Sequence, residues 1–398
     1  MTDTPRIALF ADTYHEVNGA ARTCREWEAF AQRRGLPFLC VRWEKKMAGE
    51  PPLPDGRGSV EHNGGPVELR RSRLCLPLDP GLEFDFRFYR YLHAVEDHVR
   101  RFRPDFVHVT SPGDLGILGS IVAARLGTPL AASWHTNLHE FAERRVTRFC
   151  SWLPRLVREG VADGVERLVL QRVCWFFGRA QVIFAPNPEL AAMLRKRTGR
   201  PVVPMGRGID TELFHPTRRS RADSDLVIGY VGRLMPEKNL RLLPAVAKAL
   251  SEAGIERFRF QITGSGSERG WLERNLPNAT FTGVLGGDAL ARAYADADVF
   301  LFPSRTDTFG NVVQEALACG VPAVVMNAGG PRFIVRHGVS GMAAASDADF
   351  CRCAVKLASD ERLRREMGRA GRSQVEFQSW DRVFEEVYEG YASPVPIV

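Results

Sequence analysis

Apolar positions along this chain fall into short continuous runs, and stretches of helical periodicity separate one run from the next. The first series comprises Ile7 to Ala11, Phe38 to Val41, Phe106 to Val109, Leu130 to Ser133 and Val182 to Ala185. Runs of this length alternating with helical stripes predict strands of a parallel sheet covered on both faces. A second series follows at Val227 to Val231, Phe258 to Thr263, Thr280 to Gly283, Val299 to Phe302 and Ala323 to Met326. The pattern therefore predicts an α/β protein of two Rossmann-like, doubly wound domains.

The stretch Gly206 to Ser224 is the best candidate for a linker between the two series. We expect residues 1–207 to form the first domain and 208–378 the second. Residues 379–398 are expected to hold a helix that crosses back onto the first. Between Glu50 and Gly65 the chain is rich in turn formers, which predicts a surface loop without chemistry.

With 398 residues, the chain exceeds one ordinary core and agrees with two domains. No apolar stretch approaches the roughly 20 residues that span a bilayer, and Met1 to Pro5 lacks a basic segment followed by an apolar one. The expected location is cytoplasmic. Eight scattered cysteines, with Cys351 and Cys353 the closest pair, form neither a zinc ribbon nor a redox motif. The net charge of +7 is unevenly placed: residues 1–207 carry 31 Lys and Arg against 23 Asp and Glu, the remainder 23 against 24. Basic residues interleave with aromatics from Phe141 to Ala180, a composition of interfacial helices, so an anionic membrane surface enters as a candidate partner. Nucleic acid is not expected.

Candidate chemistry concentrates at strand ends, where open parallel sheets bind ligands. After Val299 to Phe302, the run Pro303 to Gly320 sets Asp307 before a helix and Glu315 on its second turn. The helical stripe is Val312, Val313, Ala316 and Leu317. Phe309, Gly310 and Asn311 would offer backbone N–H groups at the helix start, where a diphosphate or sugar hydroxyl is favoured. The bland alternative is a capping aspartate and a solvated glutamate.

After Val227 to Val231, Gly232, Arg233 and Lys238 place two cations before a helix, suited to the charge that grows on a departing diphosphate. Gly264 lies in Thr263-Gly264-Ser265-Gly266, a partial glycine fingerprint that lacks the third glycine of a dinucleotide site. In the first half, Asn18-Gly19 opens a helix after the first strand, with Arg22 on it. His135 ends the Leu130 strand; it has the spacing of a metal pair with His139, but Thr136 stands where a metalloprotease needs Glu. No metal is expected.

These segments, in this order, together with Gly208-Ile209-Asp210, resemble the retaining family-4 glycosyltransferases (glycosyl transferases group 1) of GT-B fold. The run from Asp307 to Glu315 is similar to the E-x7-E signature of that family, with Asp in place of the first Glu. The nearest likeness is to bacterial GDP-mannose-dependent mannosyltransferases. The resemblance implies two domains facing across a cleft, the first for the acceptor and the second for the nucleotide-sugar donor. It implies retaining, metal-independent transfer of a hexosyl group from a GDP- or UDP-linked sugar to a lipid or glycan acceptor, with no other cofactor. Arg233, Lys238 and Gly19 would meet the donor phosphates. Glu315 would hold the ribose, Phe309, Gly310, Asn311 and Gly264 the sugar and nucleotide, and His135 and Asp307 would be the catalytic pair. A non-catalytic nucleotide-sugar binder and a sugar-nucleotide epimerase remain open alternatives.

Overall fold

The computed structural model describes residues 4–16, 18–45, 65–79, 82–137 and 155–392. The turn-rich stretch before Gly65, Val17, His139 and the part of the basic and aromatic stretch before Arg155 lie outside the described residues. The chain divides into two compact units, Met1–Gly206 with Trp380–Val398, and Arg207–Ser379.

The first unit is built on a seven-stranded parallel sheet. Its order is Val67–Leu69, Phe38–Trp43, Ile7–Ala11, Phe106–Val109, Leu130–Ser133, Val182–Ala185 and Val202–Pro204. Ile7 to Ala11 are buried at every position, as a strand covered on both faces must be. The Gly19–Arg34 helix begins where Asn18 Oδ1 accepts the Ala21 N–H at 2.8 Å, and it stops at Gly35, whose φ of 62° a side chain would oppose.

The Trp380–Ala392 helix belongs to this unit. Phe384 stacks on Trp27 at 5.5 Å between ring centroids and on Trp380 at 5.6 Å. Arg33 meets Asp381 at 2.5 Å and Arg34 meets Glu385 at 2.6 Å, so ion pairs flank the apolar seam.

The second unit holds a six-stranded parallel sheet in the order Ala279–Gly283, Phe258–Thr263, Leu226–Val231, Val299–Phe302, Ala323–Met326 and Gly341–Ala344. Strand order reverses between Leu226–Val231 and Val299–Phe302. Ile209 and Phe214, within the candidate linker, are buried in this unit's core.

Some elements carry no sequence signal. Val67–Leu69 and Val202–Pro204 are three residues each, too short to show a period. Gly341–Ala344 lacks β-branched residues, and Gly341 is needed because a Cβ there would lie 2.2 Å from the Ala323 carbonyl oxygen. A hairpin of Cys75–Asp79 with Leu82–Asp85 stands apart from the main sheet. Among the described residues no helix is long and apolar enough to cross a membrane.

Phe384→Ala removes the ring that Trp27 and Trp380 sandwich, and is expected to destabilise the first unit by about 3–5 kcal/mol in urea unfolding. A loss below about 1 kcal/mol would contradict this packing.

Candidate functional site

The reversal of strand order in the second sheet opens a crevice at the carboxyl ends of its two central strands, the general place for ligands in such sheets. Gly232 to Lys238 leave one of these strands, and Pro303 to Gly310 leave the other. They meet in one contact: Lys238 Nζ donates to Asp307 Oδ1 at 2.7 Å and to Oδ2 at 2.9 Å. Lys238 is buried, and Asp307 is only partly exposed. Burial works to raise the Asp307 carboxyl, but the Lys238 charge and hydrogen bonds outweigh it and hold Asp307 below the ordinary carboxylate value. Asp307 is therefore ionised at neutral pH.

The cation loop is held from beneath by glycines. Gly264 adopts φ +139°, and a Cβ on it would lie 1.9 Å from the Gly232 carbonyl oxygen; a Cβ on Gly266 would lie 2.2 Å from the Leu234 carbonyl oxygen. Only glycine lets the two turns touch. Gly264 is thus in direct backbone contact with the cation loop. Arg233 lies 3.2 Å from Glu237, and Tyr230 donates its hydroxyl hydrogen to the Arg233 carbonyl at 3.0 Å.

The acid loop is buttressed by a segment without a sequence signal of its own beyond a glycine pair, Gly329-Gly330. Gly330 N donates to the Asp307 carbonyl at 2.7 Å, and a Cβ on Gly330 would meet Thr308 O at 2.3 Å. Gly310 caps the Asn311–Ala318 helix at φ 106°, facing Pro331. Among the described residues, the backbone N–H groups of Phe309, Gly310 and Asn311 have no protein acceptor, as expected at a helix start. The Arg207 guanidinium, in a buried residue, lies 5.8 Å from the Phe309 ring centroid.

Glu315 sits on the second turn of that helix and is 4 % exposed. One of its carboxylate oxygens accepts the Tyr294 hydroxyl at 2.7 Å. Tyr294, a residue the sequence pattern marks only as core, thereby sets the rotamer of Glu315. Arg207, Tyr294 and Gly330 are the site neighbours that spacing alone does not reveal.

In the first unit, Gly19 is exposed at the start of its helix, and Arg22 packs beside Trp380 at 6.0 Å. His135 is 8 % exposed, with Nε2 2.6 Å from Ser133 Oγ. At this sheet's own reversal stands an acid pair with no counterpart in the motif reading. Asp12 caps the Asp114–Leu126 helix through Leu115 N at 2.9 Å and Gly116 N at 3.2 Å. Burial, then the charge of Asp114, pushes Asp12 up to about 8. Asp114 is itself engaged by Trp43 at 3.0 Å and Arg71 at 3.1 Å. Protein groups therefore occupy both acids, which hold strand to helix.

The two units have sequence relatives and structural neighbours of one kind. Residues 225–360 match the family described as Glycosyl transferases group 1, and residues 17–213 match Glycosyltransferase Family 4. A GDP-mannose-dependent alpha-mannosyltransferase of Mycolicibacterium smegmatis is 34 % identical over 97 % of this chain and 96 % of that protein. Another of that description from Corynebacterium glutamicum is 27 % identical over 98 % of this chain and 90 % of that protein. Among solved structures, sucrose-phosphate synthase of Thermosynechococcus elongatus aligns with a TM-score of 0.70 at 19 % identity, over 98 % of each chain. In sequence and in its two parallel-sheet units, the chain belongs to the group 1, family 4 glycosyltransferases and has the GT-B fold.

Proposed function

We propose that this glycosyltransferase transfers mannose from GDP-mannose, with retention of anomeric configuration and without a metal, to a lipid or glycan acceptor. The observation that carries the reading is the part-buried Lys238–Asp307 pair at the strand-order reversal of the second unit. An ammonium has three N–H groups, and two point at Asp307. In our reading the third meets the donor diphosphate, beside Arg233, while Asp307 turns its outer lone pairs to the hexose hydroxyls.

The backbone N–H groups of Phe309, Gly310 and Asn311 take up sugar or phosphate oxygens, and Glu315, braced by Tyr294, takes the ribose. Gly264 lets the cation loop approach the nucleotide. When the bond from the anomeric carbon to phosphate breaks, charge grows on the diphosphate, and preorganised cations stabilise that state most. The acceptor oxygen bonds to the anomeric carbon from the side the phosphate leaves, and its proton passes to a phosphate oxygen. No separate base is required. The acceptor is assigned to the first unit, with His135 as the residue that meets it. The mannose donor is supported by the two relatives that span this chain, both GDP-mannose-dependent alpha-mannosyltransferases.

A membrane-surface role for the Arg155–Phe177 helix is supported by its outer face. Val161, Leu168 and Trp175 recur every seven residues and are 41, 53 and 59 % exposed, and Arg179 stacks on Trp175 at 4.0 Å. Such a stripe suits an anionic lipid surface that also presents a lipid-linked acceptor.

Lys238→Ala should lower kcat by about 10²-fold or more, the scale of losing one preorganised group that stabilises developing charge; Glu315→Gln should chiefly raise the KM for donor. Full turnover in both variants would remove these assignments. In thermal-shift titration GDP-mannose should stabilise the protein by about 2.7 kcal/mol at a hundred times its Kd, UDP-glucose by much less, and NMR should find the product anomer to be the donor's own. Preference for UDP-glucose, or an inverted product, would overturn the donor or the stereochemistry. Phosphatidylglycerol vesicles should pellet the protein at low salt and release it at high salt, with Trp175→Glu weakening the binding; absence of pelleting would refute the membrane role.

A further inference from the structure

Behind His135 a row of hydrogen bonds runs from the last helix of the chain into the first sheet. The Tyr391 hydroxyl oxygen lies 2.5 Å from His108 Nδ1, His108 Nε2 lies 2.8 Å from Ser133 Oγ, and Ser133 Oγ lies 2.6 Å from His135 Nε2. The sheet register explains the alignment. His108 pairs with Ala131, and Ser133 is two residues beyond Ala131 on the neighbouring strand, so both side chains stand on one face. His108 is fully buried and Ser133 almost so. Trp27 meets the His108 ring edge-on at 4.8 Å, and Phe184 covers it at 5.6 Å.

Every proton in this row can be assigned from its surroundings, as histidine tautomers are assigned from the network that surrounds them. Burial pulls His108 down to about 3, so the ring is neutral, with one N–H and one lone pair. Tyr391 is buried and keeps its proton, since burial pushes its hydroxyl well above the usual value. Among the described residues its O–H has one acceptor in reach, His108 Nδ1. A proton on Nδ1 would leave that O–H unpaired in an aromatic box, at a cost of about 1–3 kcal/mol. The His108 proton is therefore on Nε2, and it is donated to Ser133 Oγ. Among the described residues the hydrogen of Ser133 then has one remaining partner, His135 Nε2, which must offer a lone pair. A proton on His135 Nε2 would aim two N–H groups at one oxygen and orphan the serine hydrogen.

We propose that Tyr391, His108 and Ser133 are positioning residues that fix His135 as the neutral Nδ1–H tautomer, so that His135 acts as a hydrogen-bond donor and not as the proton acceptor of the transfer. The functional half rests on the reading that His135 meets the acceptor; the tautomer half stands without it. The relay also gives the last helix a task in the first unit beyond packing, because the donor that starts the row lies next to the end of that helix.

The test is long-range proton–nitrogen NMR on the full chain with ring-labelled histidine at pH 7.5, signals being assigned through His108→Gln and His135→Gln. The expected result is His108 as the Nε2–H form and His135 as the Nδ1–H form. His135 found as Nε2–H, or doubly protonated, overturns the proposal. Tyr391→Phe removes the first donor, so the His135 signals should move toward a mixture of tautomers and kcat/KM should fall about tenfold, the loss typical of such supporting partners. Unmoved His135 signals in that variant also overturn the relay. Should His135→Gln leave turnover unchanged while the wild-type tautomers are as expected, the relay stands and the functional half, with the acceptor reading it rests on, is overturned.

Discussion

The part-buried ion pair of Lys238 with Asp307 is the contact on which the proposed donor site depends. Each loop leaves a different central strand, and the reversal of strand order between those strands holds the loops apart as the walls of a crevice. Charge alone would not justify the burial, because taking two ions out of water costs more than their attraction often returns. In our proposal function justifies it: a cation already oriented and largely desolvated needs no reorganisation when a phosphate arrives. The glycines follow from the same requirement. Gly264 and Gly266 let one turn lie on another, and Gly330 donates to the Asp307 carbonyl, so the segments that brace the two loops can carry no side chain at those points.

Asp stands here where the family signature has Glu, one methylene longer. The shorter side chain still brings both oxygens within 2.9 Å of Lys238. The backbone of the acid loop is pinned by Gly330 and by Pro331 against Gly310. On this geometry the substitution keeps the charge arrangement.

Strands with full burial were the most legible part of the fold. Val299–Phe302, Ala323–Met326 and Ile7–Ala11 all begin and end where their apolar runs do, because in a doubly covered sheet hydrophobicity and strand extent coincide. Edge strands such as Val67–Leu69 escape notice, being only half covered and three residues long. Of the site, the loops were legible and their meeting was not. Lys238 and Asp307 are 69 residues apart, and only strand order makes them neighbours. Tyr294 is likewise hidden, since an aromatic residue on an apolar helix face reads as core until its hydroxyl is seen on Glu315.

His108 shows the same limit more sharply. In the sequence it is one polar letter within an apolar strand, and its meaning comes from Tyr391, 283 residues later. In our reading both units thus support a candidate site residue from behind with a buried tyrosine, Tyr294 for Glu315 and Tyr391, through His108 and Ser133, for His135. A hydroxyl on a rigid ring suits that task, because few rotatable bonds have to be frozen to aim it.

The most direct measurement is a crystal structure of the full chain with GDP-mannose. The account predicts a diphosphate oxygen within about 3 Å of Lys238 Nζ, with mannose hydroxyls on Asp307 and the ribose on Glu315. A donor bound elsewhere, with the Lys238–Asp307 pair closed and untouched, would contradict it.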